Sequence, residues 1–218
     1  MDFEKLKHLM LFRGMTDAEL NQCITSLSAT EKCFKKGQLI LHAGDTTDSM
    51  GLVLSGSVTI ENNDLWGNCS ILSHVEAGGS FAETYAMTGG EVLLVDVRAN
   101  ENCNVLFLSI GKLDHSSASS DPWKYKLIAN LLTISSRKNL LLSGRSFHTS
   151  PKTIRGRVLS YLNSISLQKH STDFDIPFDR QQLADYLNIE RTALSKELGK
   201  MRDDGLIRYH KNHFTLTK

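Results

Sequence analysis

The last third of the sequence carries polar and basic side chains spaced to share one face of a helix. They are Arg191, Thr192, Ser195 and Lys196. Guanidinium, hydroxyl and ammonium groups suit the major groove of DNA, where base edges offer acceptors and phosphates carry negative charge. The other side of the same helix carries Leu194, Leu198 and Met201 at helical spacing, which predicts that this side is buried.

The residues before this face predict a second helix that crosses the first. It is expected to begin near Arg180, with an inner side formed by Leu183, Ala184 and Leu187. Asn188 then falls in the turn, where φ must be positive, and asparagine tolerates that conformation better than most residues. The stretch "LIRYHKNHFTL" follows and alternates around a basic Lys211-Asn212 turn, which predicts a β-hairpin. Together these elements predict a winged helix–turn–helix.

A second stretch with binding chemistry is "GGSFAETYAMTGGEVLLVDVRA", residues 78–99. Its glycines are typical of a loop that holds the phosphate and sugar of a ligand, and Glu83 lies within this loop. Where a cation would balance the phosphate, the sequence has Leu93 and Leu94. Two interpretations of Glu83 stay open, because it either contacts an effector or holds the loop through backbone amides. The two leucines likewise either line a pocket or form barrel core.

Residues 30–110 predict the scaffold for that loop. Short runs rich in Val, Leu and Ile are broken by glycine, as in "SMGLVLSGSVTI", "VLLVDVRA" and "CNVLFLSI". This spacing predicts a small antiparallel jelly-roll barrel, with a hairpin turn at Gly67-Asn68. Upstream, "TDAELNQCITSL" predicts a helix capped by Thr16. The expected fold class is α+β.

A long helix is predicted between the two parts. One apolar stripe is formed by Leu127, Leu131, Ile134 and Leu141, and an adjoining one by Ile128, Leu132 and Leu142. One stripe would cover the barrel and leave the other for a second copy of the chain, unless a single chain buries both. "SGRSFHTSP" is expected to break the helix as a hinge. The predicted domains are the barrel with its N-terminal helix at 1–120, the dimerisation helix and hinge at 121–147, and the winged helix–turn–helix at 148–218.

Charge and hydropathy narrow the class of protein. Residues 151–218 hold 12 of the 25 Lys and Arg but only 8 of the 24 Asp and Glu, which suggests an anionic partner unless the charges cluster by chance. No apolar run reaches the roughly 18 residues of a membrane span, and no signal peptide is visible. We therefore expect a cytoplasmic protein with no membrane partner.

The cysteines and histidines give no metal or redox pattern. Four cysteines (Cys23, Cys33, Cys69 and Cys103) are far apart and form no CxxC pair, which disfavours a zinc ribbon, a disulfide scaffold and an iron–sulfur cluster. Redox sensing by Cys69 or Cys103 has no further support in the sequence. His42 and His74 are candidate haem ligands, but a lone histidine in a barrel is more often structural. We expect neither a metal nor a cofactor.

Across nearly its full length the chain resembles the Crp/Fnr family of bacterial transcription regulators. The resemblance is carried by the spaced glycines of "KKGQLILHAGDTTDSMGLVLSGSV", by the "GGSFAE" loop and by the winged-helix block. It implies a cyclic-nucleotide-binding-like barrel, a dimerisation helix and a winged helix. It also implies a homodimer on a palindromic double-stranded DNA operator, with RNA polymerase as a partner if the regulator is an activator.

The resemblance assigns roles to the C-terminal residues. It places Arg180 and Gln181 on phosphates, and Arg191, Thr192, Ser195 and Lys196 in the major groove, beside a basic wing that carries Arg208 and Lys211. The sequence departs from the common pattern at Thr192, where a glutamate often reads cytosine. It also departs at Glu190, where Ser or Thr is the better cap, so the operator sequence stays open.

The resemblance also defines a candidate effector pocket. Cyclic-nucleotide-binding members hold the cyclic phosphate with an Arg-Ser pair, and alignment on the shared "VRA" places Leu93 and Leu94 there. The whole set is Gly78, Phe81, Ala82, Glu83, Leu93, Leu94 and, by an ungapped carry-over, Leu140. A phosphate without its cation would be desolvated against aliphatic carbon. We therefore expect the pocket to reject cyclic AMP and, if it binds anything, to prefer a less charged molecule with an apolar or aromatic part.

The expected function is non-enzymatic: sequence-specific DNA binding that regulates transcription under the control of a small molecule or another signal. The alternative is a metal-dependent enzyme or small-molecule carrier built on the barrel, with the C-terminal part as an accessory interaction domain.

Overall fold

The computed structural model describes residues 2–63, 69–113 and 121–217, with residues 69 and 70 described by their backbone alone. The chain divides into two compact units, Met1–Ile134 and Ser135–Lys218, which we call the N-terminal unit and the C-terminal unit. Over the described ranges, no helix is both long enough and apolar enough to cross a membrane. The predicted turn at Gly67-Asn68 lies outside the described residues.

The N-terminal unit begins with three helical segments. They are α1 (Phe3–Lys7), a 3-10 helix (Met10–Phe12) and α2 (Asp17–Ser26). The predicted cap on α2 is confirmed: Thr16 Oγ1 accepts from the Glu19 amide, and the Glu19 carboxylate accepts from the Thr16 amide at 2.7 Å. This capping box fixes where the second helix begins.

Eight strands and a short helix follow. They are β1 (Thr30–Phe34), β2 (Leu39–Leu41), β3 (Met50–Ser55), β4 (Ser57–Asn63), β5 (Cys69–Glu76), β6 (Ser80–Phe81), α3 (Glu83–Thr88), β7 (Asp96–Ala99) and β8 (Cys103–Leu108). They form two antiparallel four-stranded sheets, ordered β1-β8-β3-β6 and β2-β7-β4-β5. The α+β class and the barrel-like sandwich are therefore confirmed.

The space between the two sheets is filled mainly by valines from both of them. Val53 and Val105 come from one sheet, and Val58 and Val97 from the other. The ring of Phe81 reaches the same core over Gly51, where an added Cβ would lie 2.1 Å from the ring. Only glycine at residue 51 lets this ring pack so closely on β3.

Helix α4 (Pro122–Thr149) carries the two predicted apolar stripes, and the boundary between the units falls within it. Leu127 and Leu131 are buried against the N-terminal helices and β3, with Ile134 packed beside them. By contrast, Ile128 and Leu132 are 47% and 67% exposed, so burial of both stripes in one chain is contradicted. Leu141, which the sequence places in the same stripe as Leu127 and Leu131, is 74% exposed, so that stripe is buried only in its first part.

The expected helix break across "SGRSFHTSP" is wrong for most of that stretch. Helix α4 continues to Thr149, and within this stretch the hydroxyls of Ser143 and Thr149 donate to Asn139 Oδ1 and to the carbonyl of Arg145. These bonds satisfy the two polar side chains without interrupting the helix. The helix ends where Pro151 restricts the residue before it.

The C-terminal unit is a compact winged helix–turn–helix, as predicted. After the end of α4 it contains α5 (Ile154–Lys169), β9 (Asp173–Asp175), α6 (Arg180–Leu187), α7 (Arg191–Asp203), β10 (Ile207–His210) and β11 (His213–Leu216). The strands form one antiparallel sheet, ordered β10-β11-β9. Its core joins α5, α6 and α7 to Phe174 and Phe214 of the sheet.

Candidate functional site

Helix α7 presents the predicted groove residues on its exposed side. Arg191, Thr192, Ser195 and Lys196 are all exposed. Leu194, Leu198 and Met201 are fully buried, so the predicted inner stripe is confirmed. The fully buried stripe holds the helix in one rotation about its axis and keeps the polar face outward. This leaves two cations and two hydroxyls on one exposed surface.

The start of α7 is capped by a carboxylate. Glu190 accepts hydrogen bonds from the amides of Thr192 and Ala193 at 3.0 and 2.8 Å, and from the Thr192 hydroxyl. These bonds, with the Thr192 hydroxyl first among them, lower the pKa of Glu190. The carboxylate thus compensates for the missing Ser or Thr cap. It also holds the Thr192 hydroxyl that the sequence assigned to the groove.

The turn between α6 and α7 has the geometry that the sequence predicts. Asn188 has a φ of 57°, and the Ile189 amide then donates to the Ala184 carbonyl at 2.9 Å. At the other end of α6, Gln181 donates through Nε2 to Asp185 Oδ1 at 2.8 Å. Gln181 therefore lies exposed at the surface but is held along its own helix.

An open notch of about 710 Å³ separates the start of α7 from the hairpin β10–β11, which we call the wing. Its lining residues are Pro177, Phe178, Asp179, Arg180, Gln182, Arg191, Ser195, Lys211 and Asn212. Three of these side chains are cationic and one is a carboxylate. The carboxylate of Asp179 accepts from the Gln182 amide at 2.8 Å as the cap of α6. The surplus of positive charge suits a nucleic-acid backbone.

Arg180, the first residue of α6, packs its guanidinium on two aromatic rings of the wing. Its guanidinium carbon lies 5.2 Å from the ring centroid of Tyr209 and 5.9 Å from that of Phe214. It also donates through Nη2 to the Lys211 carbonyl at 3.4 Å. Burial lowers the pKa of Arg180, and the positive charge of Arg191 contributes to this. Arg208 and Lys211 are exposed on the wing, with Lys211 at a φ of 56° in the predicted turn.

In the N-terminal unit, the candidate pocket loop is bonded mostly to the backbone of the neighbouring strand β3. The Gly78 amide donates to Val53 and the Gly79 amide to Glu76, at 2.8 and 2.9 Å. Ser80 and Phe81 pair with β3. The amides of Gly78 and Gly79 are thus already paired within the protein.

Glu83 begins α3 and is only 6% exposed. The preceding Ala82 adopts the left-handed conformation, with a φ of 61°. Since a residue with a Cβ rarely adopts that conformation, Ala82 is a strained position at the edge of the candidate pocket.

The two leucines in the place of the Arg-Ser pair differ from each other. Leu93 is 2% exposed, and its backbone is paired with the β2–β3 loop through the Asp45 carbonyl and the Gly44 amide, each at 2.8 Å. Leu94 is 73% exposed. Because Leu93 pairs with this loop, β7 begins at Asp96 and is shorter than "VLLVDVRA" suggested. Leu140 lies in the other unit and is 73% exposed.

Of the three thiols whose side chains the structure describes, Cys23 and Cys103 are buried and poorly suited to redox chemistry, whereas Cys33 is exposed. Burial raises the pKa of the Cys23 thiol to about 12, and burial also raises that of Cys103. A thiol held protonated reacts slowly with oxidants. The side chain of Cys69 lies outside the described residues.

Comparison with known families finds two matching domains, arranged in the order that the sequence predicts. Residues 31–116 match the cyclic nucleotide-binding domain, and residues 156–218 match the Crp-like helix-turn-helix domain. The chain belongs to the Crp/Fnr family. It is a Crp-family DNA-binding transcription regulator that carries a cyclic-nucleotide-binding domain.

Individual Crp/Fnr relatives are distant in sequence. The cAMP-activated global transcriptional regulator CRP of Escherichia coli O6:H1 is 22% identical over 175 residues, which cover 78% of this chain and 81% of that protein. The solved structure of CLP, a c-di-GMP responsive global regulator of Xanthomonas campestris, has a TM-score of 0.57 at 16% identity, over 93% of this chain and 100% of that one. CprK complexed with OCPA has a TM-score of 0.60 at 12% identity, over 89% and 91%. At these identities the two structures show the shared fold alone.

Within this Crp/Fnr chain, the structure adds contacts that the sequence reasoning missed. One is the Arg180 stack on the wing. Another joins the last turn of α4 to α5 and α6: His148 lies 2.9 Å from both the Tyr186 hydroxyl and the Ser164 hydroxyl. The alternation of "IRYH" and "HFTL" contained a signal for the first contact, because it places Tyr209 and Phe214 opposite each other in the hairpin. Nothing local in the sequence pointed to the second.

Proposed function

We propose that this Crp/Fnr member binds a palindromic operator as a homodimer through the exposed face of α7. The observation that carries the proposal is the division of α7 into a fully buried stripe and an exposed face with Arg191, Ser195 and Lys196. Arg191 is the main base-reading residue, because a guanidinium can bridge guanine O6 and N7. Gln181, Arg208 and Lys211 lie at the DNA backbone, while Thr192 contributes less because Glu190 holds its hydroxyl.

The dimer forms through the exposed stripe of α4. Ile128 and Leu132 expose large apolar side chains on a helix whose other side is already buried, and a second copy of the same helix would cover them. A two-fold dimer would place two α7 helices about one DNA turn apart, roughly 34 Å. If the regulator is an activator, RNA polymerase is a further partner.

We also propose that the sensor does not respond to cyclic AMP, although the curated relatives are named as cAMP-activated. In the place of the phosphate cation this chain has a buried Leu93 and an exposed Leu94. A buried phosphate without a cation costs several kcal/mol more than amides recover. The effector, if there is one, is a less charged molecule whose apolar part contacts Leu94 and whose polar part lies near Glu83.

Selection of operator sequences from a random duplex library tests the DNA-binding half of this proposal. We expect enrichment of a palindrome, and we expect Arg191→Ala to lose roughly 1–3 kcal/mol of discrimination at one base of each half-site. Lys200→Ala, an exposed cation outside the predicted groove set, is the control. Unchanged base preference in Arg191→Ala would refute the groove assignment. Failure of the wild-type chain to enrich any sequence would favour the enzyme or carrier alternative.

Calorimetry with cyclic AMP and cyclic GMP tests the sensor half. We expect no binding at micromolar concentration. Micromolar binding of cyclic AMP that is lost in Glu83→Ala would overturn the proposal. A thermal-shift screen of uncharged aromatic and aliphatic compounds then searches for an effector, because a ligand that prefers the folded chain raises the melting temperature.

A further inference from the structure

We infer that Arg180 is a positioning residue for DNA binding. It fixes the wing and does not itself contact a phosphate. The inference rests on the proposed DNA-binding function and deepens it, because it assigns a backbone contact to Lys211 and makes the placement of Lys211 depend on Arg180. It also changes the role that the sequence resemblance gave to Arg180.

The contacts of Arg180 all lead from α6 to the wing. Its guanidinium covers Tyr209 on β10 and Phe214 on β11, and its Nη2 reaches the carbonyl of Lys211 in the turn between them. Tyr209 and Phe214 themselves stack, with ring centroids 5.8 Å apart. The cation thus lies on a two-ring platform at the base of the turn. Stacking of this kind needs a flat guanidinium, which lysine lacks.

The other side of the wing is attached to β9, where the ring nitrogens of His213 lie 3.0 and 3.1 Å from the carboxylates of Asp175 and Asp173. The Asn212 side chain donates to the Ile176 carbonyl at 3.2 Å, and the Ile176 amide donates to the Asn212 carbonyl at 2.9 Å. These bonds fix the side of the turn that faces β9, whereas Arg180 fixes the side that faces α6. Lys211 lies between them with a positive φ, so its side-chain direction depends on how the turn is held.

A phosphate-contacting residue and a wing-positioning residue respond differently to substitution. Lysine replaces arginine well at a simple phosphate contact, because both carry the charge, but it cannot stack as a plane. Loss of one phosphate contact lowers the slope of log affinity against log salt by about 0.9, or about 1.8 for a dimer that loses one contact in each subunit. If Arg180 acts through Lys211, then removing either side chain loses the same phosphate contact, the one made by Lys211.

The experiment measures affinity and salt slope on the selected operator for Arg180→Ala, Arg180→Lys, Lys211→Ala and the double variant Arg180→Ala/Lys211→Ala. We expect Arg180→Lys to bind the operator as weakly as Arg180→Ala does. We expect the salt slope of the double variant to fall no further than that of either single alanine variant. Tyr209→Leu keeps Arg180 but removes the nearer of the two rings beneath its guanidinium, and we expect the same loss. A near-wild-type Arg180→Lys, or additive slopes in the double variant, would overturn the inference.

Amide hydrogen exchange of the free protein separates this inference from the proposed function. We expect faster exchange at His210, Lys211 and Asn212 in both Arg180 variants, and no change there in Lys211→Ala. Unchanged exchange in the core of α7 shows that the variants are folded. If the wild-type chain bound no duplex, the proposed function would fail; if wing exchange stayed at its wild-type rate in Arg180→Ala, the positioning role alone would fail.

Discussion

The two units differ in which features of a ligand-controlled DNA-binding protein they contain. In the C-terminal unit both the buried frame and the exposed polar face of α7 are present, and three cations line the notch beside the wing. In the N-terminal unit the sandwich is intact and Glu83 begins α3, but leucines occupy the positions implied for a phosphate-binding pair. The frame is therefore present in both units, whereas on our proposal only the C-terminal unit has the cations that a phosphate-bearing ligand needs.

The difference follows from what each property requires of the sequence. A core between two sheets needs apolar volume, which many residues supply, so its frame tolerates wide substitution. A phosphate site needs a cation at one position, and a single change to leucine removes it. Fold and function are separable for this reason, and the domain match at residues 31–116 does not carry the ligand with it.

The exposed stripe of α4 is the proposed dimer interface, so a change there should have the largest effect on operator affinity. Leu132→Glu places a charge in the proposed dimer interface, and we expect monomers at micromolar concentration. Affinity for the two-half-site operator should then fall by roughly 10²–10⁴-fold, since the second half-site no longer binds intramolecularly. Light scattering and gel shift measure the two effects.

Thr133→Glu is the matched control, because residue 133 is exposed on α4 and lies about 100° around the helix from residue 132. It should leave both measurements unchanged. A stable wild-type monomer, or a dimeric Leu132→Glu variant, would contradict the proposed interface.

The adjacent leucines of the N-terminal unit sharpen the comparison within one site. Leu93→Ala removes a buried side chain and should lower the free energy of unfolding by about 2–5 kcal/mol. Leu94→Ala should change it by less than about 0.5 kcal/mol, because the side chain is 73% exposed. Urea unfolding followed by tryptophan fluorescence measures both. Equal losses would mean that the two leucines share one environment.

What the sequence predicted well was local, and what it missed depended on distant partners. The Thr16 cap, the left-handed Asn188 and the buried stripe of α7 are each specified within a few residues. Strands β1 and β9 were missed because both are short and largely exposed; they exist through pairing with β8 and β11. The difference in burial between Leu93 and Leu94 could not be predicted either, because it depends on the backbone pairing of Leu93 with Gly44 and Asp45, which are distant in sequence.

Two histidines of the C-terminal unit should give pH dependences of opposite sign. Burial lowers the pKa of His148. The unfolded chain therefore takes up the proton first, and stability from neutral His148 is present above about pH 6.5 and is lost as the pH falls through the lowered pKa. We expect the melting temperature of wild type to fall more steeply toward pH 5 than that of His148→Phe. If the melting temperature of His148→Phe fell toward pH 5 as steeply as that of wild type, the prediction would be contradicted.

His213 should show the reverse behaviour. A hydrogen bond with Asp175, and then the charge of Asp173, raises the pKa of His213, with ring nitrogens 3.0 and 3.1 Å from the two carboxylates. Its contribution is present below about pH 6.5 and is lost as the pH rises through the raised pKa. His213→Gln should therefore flatten the profile on the neutral side only. His210 and Lys211 are nearby cationic or titratable groups on the wing, and His210→Gln is the control.

The smallest expected effect compares the left-handed residues of the two units. Ala82 and Asn188 have similar φ values, 61° and 57°, but alanine pays more for this conformation than asparagine does. We expect Ala82→Gly to raise the free energy of unfolding by about 0.5–1 kcal/mol, since relief of strain exceeds the added freedom of the unfolded chain. Asn188→Gly should change it by only a few tenths.

Ala86→Gly, in the following helix α3, is the control for loss of a methyl group. Ala86 is helical and fully buried, so glycine there should destabilise by at least about 1 kcal/mol. Scanning calorimetry of the three variants decides whether strain is stored beside Glu83. A destabilised Ala82→Gly would mean that packing of the alanine methyl outweighs its backbone strain, and the edge of the sensor pocket would then be held by its side chains, as the core of the C-terminal unit is.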